Sequence, residues 1–114
     1  MSNNQADIII AIPCYTDRVL PRFDQAHKFL LANVDLHNKQ VNSQTVLTSP
    51  VDVHGLARWL AEQEVSGVIC SGIHQQQQIE LQKLGIWLTW GVAGNLQTVL
   101  QHWLQDQQVM LRTS

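Results

Sequence analysis

Charge is scarce in this chain. Seven Lys and Arg and nine Asp and Glu make up 14% of 114 residues, for a formal net charge of -2. The basic residues are scattered and form no run, which argues against binding nucleic acid or an anionic membrane through an electrostatic patch. Cysteine is nearly absent as well. Cys14 and Cys70 stand far apart without a C-x-x-C, so neither a disulfide framework nor a ribbon-type zinc site is written here. Two reduced thiols fit a cytoplasmic protein. Long apolar runs are also missing: the longest, Ile8 to Pro13, falls far short of the roughly 18 residues that span a bilayer. Residues 1–6 are polar and show no basic region leading into an apolar stretch, so neither a membrane segment nor an export signal is expected. With no internal repeat and no linker, residues 1–114 are expected to form one domain.

What the chain does have is 45% hydrophobic residues and fifteen glutamines, which supply polarity without charge. At this length about two-thirds of the extended surface can be buried, enough for a core without covalent staples. Disorder is excluded on this balance.

Asp7 to Pro13 is a continuous β-branched run stopped by proline, the pattern of a strand buried on both faces. Cys14 to Phe23 reads as a connection, Lys28 to Val34 as a second strand, Asp35 to Lys39 as a turn, and Gln40 to Leu47 as an antiparallel partner with one wet face. Ser49-Pro50 carries helix-start chemistry, with Ser49 as the cap. Val53, Leu56, Ala57, Leu60 and Ala61 follow at helical spacing, and Gly55 weakens the first turn. Gly67 to Gly72 reads as a short buried strand, His74 to Leu84 as a helix ended by Gly85, and Ile86 to Trp90 as the next strand. Asn95 caps a last helix whose Leu96, Val99, Leu100, Trp103 and Leu104 form one face, and Gln108 to Arg112 is read as an added edge strand. The order βββαβαβα calls for an α/β domain with a mixed sheet and helices on both faces, in which the strands around Ile10 and Ile69 are parallel neighbours.

Two stretches resemble a known family. Ile10-Ala11-Ile12-Pro13 with Arg22-Phe23-Asp24-Gln25-Ala26-His27-Lys28-Phe29-Leu30 is similar to the opening of the dinitrogenase iron-molybdenum cofactor biosynthesis family, the NifX, NifB C-terminal and NafY type. Members follow their first strand with His-Phe-Gly-x-Ala-x-x-Phe. Val68-Ile69-Cys70-Ser71-Gly72-Ile73 through Leu81 and Leu84-Gly85-Ile86 resembles the family's Gly-Gly-Ile-Gly run, helix and Gly-Ile strand start. The resemblance implies a ribonuclease H-like fold with a five-stranded mixed sheet, and a place in nitrogen-fixation cofactor biosynthesis. Two departures stand out: Arg22-Phe23-Asp24 replaces His-Phe-Gly, and His74-Gln75 replaces Gly-Pro.

Ligands of open α/β sheets bind beyond the carboxyl ends of the strands, where Cys14 and Cys70-Ser71-Gly72 are expected to meet and His74 opens the following helix. Thiolate and imidazole are suitable ligands for a metal–sulfur species. The cofactor site is therefore expected to be Cys14, Arg22, His27, Cys70, Gly72 and His74, with Cys14, Cys70 and His74 as metal ligands and Arg22 and His27 at the rim. Against this, Cys14 on its loop edge reads equally well as a small core hydrophobe and Cys70, inside an apolar strand, reads better as one, while His27 and Arg22 read more readily as exposed polar groups and His74 has the alternative of a surface histidine at a helix start. His37, His54 and His102 are read as solvated. The resulting expectation is a non-enzymatic binder or carrier of an iron–molybdenum or related metal–sulfur cofactor. Its partners would be that cofactor and assembly or acceptor proteins, with a homodimer left open. The alternative is a regulatory or interaction module of the same fold that has lost the ligand. A ribonuclease H-like nuclease ranks lower, because Ile8 to Ile12 offers no carboxylate for two-metal chemistry.

Overall fold

The computed structural model describes residues 7–113, with side chains for residues 7–106. The polar opening, residues 1–6, lies outside them. Nine residues of β-branched and small apolar character form β1 (Asp7–Tyr15). The strand continues through Pro13 and Cys14, beyond the stop expected at proline. The Pro13 carbonyl accepts from Leu20 N at 2.8 Å. Because a strand residue's N and C=O point the same way, the Pro13 nitrogen also faces that side, away from the β3 ladder, and its missing N–H removes no bond from that ladder.

The two-residue β2 (Arg18–Val19) returns against the end of β1, pairing Val19 with Cys14. β3 (Lys28–Asp35) lies antiparallel to β1, and β4 (Gln40–Thr48) antiparallel to β3. Asp35 closes their turn, accepting from His37 N at 2.9 Å and Asn38 N at 3.1 Å. β5 (Gly67–Ile69) then enters parallel to β1, with Ala11 opposite Val68, and β6 (Trp87–Thr89) parallel to β5. The sheet order is β4-β3-β1-β5-β6 with β2 beside β1, the mixed sheet the element order called for.

Three helices cover it: α1 (Leu56–Glu62), α2 (Gln75–Lys83) and α3 (Leu96–Thr113). Alternation along the strands divides the core between two faces. Ala11, Phe29, Val68 and Cys70 pack with Leu56, Trp59, Leu60 and Leu81 of α1 and α2, whereas Ile10, Ile12, Cys14, Leu30 and Ile69 pack with Leu96, Val99, Leu100 and Leu104 of α3. Two local expectations are corrected. The α1 cap is not Ser49: Asp52 accepts from His54 N at 3.0 Å and starts a 3-10 turn, Val53–Gly55, so the α-helix proper begins only after Gly55, where glycine's backbone freedom costs it nothing. The tail is not an edge strand either, because α3 runs on through Thr113. Its start is as read: Asn95 Oδ1 accepts from Gln97 N at 2.9 Å and Thr98 N at 3.2 Å. Among the described residues no helix is long and apolar enough to cross a membrane.

Candidate functional site

Beyond the carboxyl ends of β1 and β5 the chain makes a small extension of the sheet. Residues 21–23 run alongside Gly72: Gly72 N donates to Pro21 O at 2.8 Å, and Phe23 N donates to Gly72 O at 2.9 Å. A Cβ at position 72 would stand 2.9 Å from the Pro21 carbonyl oxygen, so this approach requires glycine. Phe23 is fully buried and pins the segment from below, its ring edge-on to Phe29 with centroids 5.9 Å apart. With Phe23 inside, Arg22 and Asp24 are left on the outer side, facing His74 across the gap. The cavity they enclose with Gly72 and Ile73 is about 210 Å³.

Arg22 Nη2 donates to Asp24 Oδ2 at 2.9 Å and Arg22 Nε to Oδ1 at 3.2 Å, a bidentate pair. His74 Nε2 lies 3.4 Å from Arg22 Nη2 and 3.5 Å from Asp24 Oδ2. It can accept from the first or donate to the second, depending on where its proton sits. Desolvation, the largest single influence on Asp24, pushes its carboxyl up. The Arg22 hydrogen bond and charge, with His74 nearby, outweigh that and hold it below the usual 3.8. His74, at the cavity wall, occupies the N-cap position of α2 without a side-chain cap bond, so its imidazole is not tied to the first N–H groups of that helix.

Of the six expected site residues, the structure brings together Arg22, Gly72 and His74, and adds Asp24 and Ile73. The expected single crevice containing both thiols is not formed. Since Ala11 lies opposite Val68, residues of β1 and β5 that share a face have odd numbers in one strand and even numbers in the other. Cys70 therefore points to the α1/α2 core and Cys14 to the α3 core. Cys14 is 6% exposed and Cys70 fully buried. Burial raises the Cys14 thiol, only partly offset by a Leu30 backbone hydrogen bond and Lys28, and burial pushes Cys70 up to about 12. Both remain protonated near neutral pH, and replacing Cys14 touches core packing, which an edge position would not. His27 is exposed, offers its carbonyl to Ser49 N at 2.7 Å, and is not part of the cavity lining. Two other cavities, of about 220 and 320 Å³, lie elsewhere: one beside His54, Arg58, Glu80 and Lys83, the other between Ile69, Thr89, Val92 and the His102 side of α3. Each borrows from the second motif, Glu80 and Leu84 in the first and Ile69 in the second, but neither holds any of the six expected site residues. Among the described residues no three His, Cys, Asp or Glu side chains gather closely enough to hold a metal ion.

A family model described as dinitrogenase iron-molybdenum cofactor matches residues 6–106. The chain belongs to the dinitrogenase iron-molybdenum cofactor family. A cofactor-associated role follows from that membership. Solved structures share the fold of this family member. The crystal structure of PH0822 superposes with a TM-score of 0.81 at 22% identity, covering 87% of this chain and 90% of its own. MJ0327 of Methanocaldococcus jannaschii gives 0.73 at 18% identity, covering 89% and 91%. The apo form of the orange protein of Desulfovibrio gigas gives 0.70 at 20% identity, covering 87% and 88%. No curated protein matches the chain. Within the family frame the two sequence departures fall on facing walls of one cavity. Arg22 stands on one wall and His74 on the other.

Proposed function

We propose that this chain is a non-enzymatic binder or carrier of an anionic metal–sulfur cofactor, iron–molybdenum or a relative of it, acting in the cofactor's assembly or delivery, and that the Arg22–Gly72–His74 cavity receives it. The observation that carries the reading is the convergence of a guanidinium and an imidazole, one from each family motif, around a glycine at the uncapped start of α2. The guanidinium can donate N–H bonds to sulfide or carboxylate, and the helix N–H groups favour the same negative charge. The His74 imidazole is the side chain suited to ligate the metal of a metal–sulfur species, because the Asp24 carboxylate beside it is held by Arg22. Cargo held by a single ligand and several hydrogen bonds can be loaded and released, which suits a carrier. Asp24, the only carboxylate lining the cavity among the described residues, gives no basis for two-metal phosphoryl chemistry.

The interaction-module reading keeps one observation in its favour: Asp24 already neutralises Arg22, so the cavity has an internal counter-ion. Anaerobic purification from cells that make the cofactor, followed by metal analysis and a visible spectrum, separates the two readings. Molybdenum and iron co-purifying with the wild-type chain and lost from Arg22→Ala/His74→Ala support the carrier. A metal-free, colourless protein from those cells removes it and leaves the interaction module.

A further inference from the structure

The two edges of the sheet are managed very differently. The β6 edge is three residues long, and its Trp87 indole stacks on Trp103 of α3 with centroids 5.2 Å apart. The β4 edge is nine residues long, Gln-Val-Asn-Ser-Gln-Thr-Val-Leu-Thr, with no charged residue and no proline. Open strands are usually blunted by brevity, lysine, proline or a bulge, because unpaired N–H and C=O groups template the addition of another strand. Here the one such device is a register shift opposite Asn33/Val34, which leaves Ser43 to Thr48 in regular pairing with β3. Within that stretch Val46 is 53% exposed, although its cross-strand neighbour Leu30 is only 4% exposed.

We propose that this edge pairs with a second copy of the chain, β4 against β4 in antiparallel fashion, to give one continuous sheet across a two-fold axis. Residues opposite each other across a ladder share a face, so the axis must pass through a residue and cannot fall between two. Centred on Val46, the pairing sets Val46 against itself on the α3 face, Thr45 against Leu47 on the other, and Gln44 against Thr48. Each is a β-branched, aliphatic or neutral polar contact, and no like charges meet. Gln44 is already tied to α3 by reciprocal amide bonds with Gln97 of 3.1 and 2.7 Å, so the strand is held in place before pairing. Closure argues for a second copy over an open-ended partner. Once β4 is paired, the free edges of the joined sheet are the two short β6 strands, and assembly stops at two. One strand per partner is small against the roughly 800 Å² a side of a standard interface, so the dimer should depend on concentration.

Sedimentation equilibrium of the full chain over a wide concentration range tests this. The expected result is a reversible rise from 12.9 kDa towards twice that mass, abolished by Val46→Lys and retained by Ile79→Lys, which places the same charge on the exposed face of α2. Val46→Cys provides a second measurement that does not depend on the lysine variant folding. A residue on the axis lies about 4.5–5.5 Å Cα to Cα from its copy, within disulfide range, so mild oxidation should give a covalent dimer that reductant dissolves. A chain that stays monomeric at every concentration, even if it captures an extended peptide, overturns the proposal. So does a dimer that survives Val46→Lys, or a Val46→Cys variant that does not cross-link.

Discussion

Asp24 is the residue on which the proposed binding at the cavity turns, because its carboxylate occupies the Arg22 fork that an incoming anion would need. Exposed ion pairs contribute about 0.2–1 kcal/mol, so Asp24→Asn should tighten anion binding by up to about fivefold, as read by a spectroscopic titration, with little change in thermal midpoint. Cys70 allows a prediction about stability. Its folded thiol is raised to about 12 from the ordinary 9.0, so the folded state keeps a proton that the unfolded chain loses. That term leaves stability untouched below pH 9 and erodes it as pH rises from 9 towards 12, by up to about 1.4 kcal/mol per pH unit. Cys70→Ala should therefore be less stable at pH 7 but flatter in urea midpoint above pH 9. An unchanged alkaline slope would contradict the burial of that thiol. Arg22, Gly72 and His74 were legible in the sequence because the two motifs that carry them end at the same sheet edge. The separation of the cysteines was not. It depends on the β1–β5 register, and a shift of one residue would put Cys14 and Cys70 on the same face.

Strand and helix types followed from hydrophobic period, and their ends from chemistry the period does not contain. β1 outlasted Pro13 because its partner on that side is only the two-residue β2, and α1 began late because Asp52 and Gly55 favour a 3-10 turn. The tail showed too few residues to distinguish a strand from the continuation of an amphipathic helix. Gly67 shows what one position can decide for an element. It lies opposite Trp87 in the β5–β6 ladder, and a Cβ there would enter the Trp87 indole, itself stacked on Trp103. Gly67→Ala should cost roughly 1–3 kcal/mol by overpacking and shift the tryptophan fluorescence, measured together in urea unfolding. A variant as stable as wild type would mean that β5 and β6 are not in this register.

At the scale of the molecule the sheet separates two tasks. One face and its long open edge are free of the cavity's charged groups, while the carboxyl ends of β1 and β5 gather the guanidinium, the imidazole and the uncapped start of α2. The glutamines supply polarity without charge, as the reciprocal amide bonds of Gln44 and Gln97 between β4 and α3 illustrate. The central claim is that an anionic metal–sulfur species binds at Arg22 and His74. The most direct measurement is an anaerobic titration of the reduced protein with tetrathiomolybdate, a metal–sulfur dianion followed by its visible absorption, comparing wild type with Arg22→Ala/His74→Ala. Hydrogen bonds to charged groups contribute about 1.5–3 kcal/mol, so the double variant should bind at least about tenfold more weakly while keeping its thermal midpoint. Equal affinity in the two proteins would contradict the account.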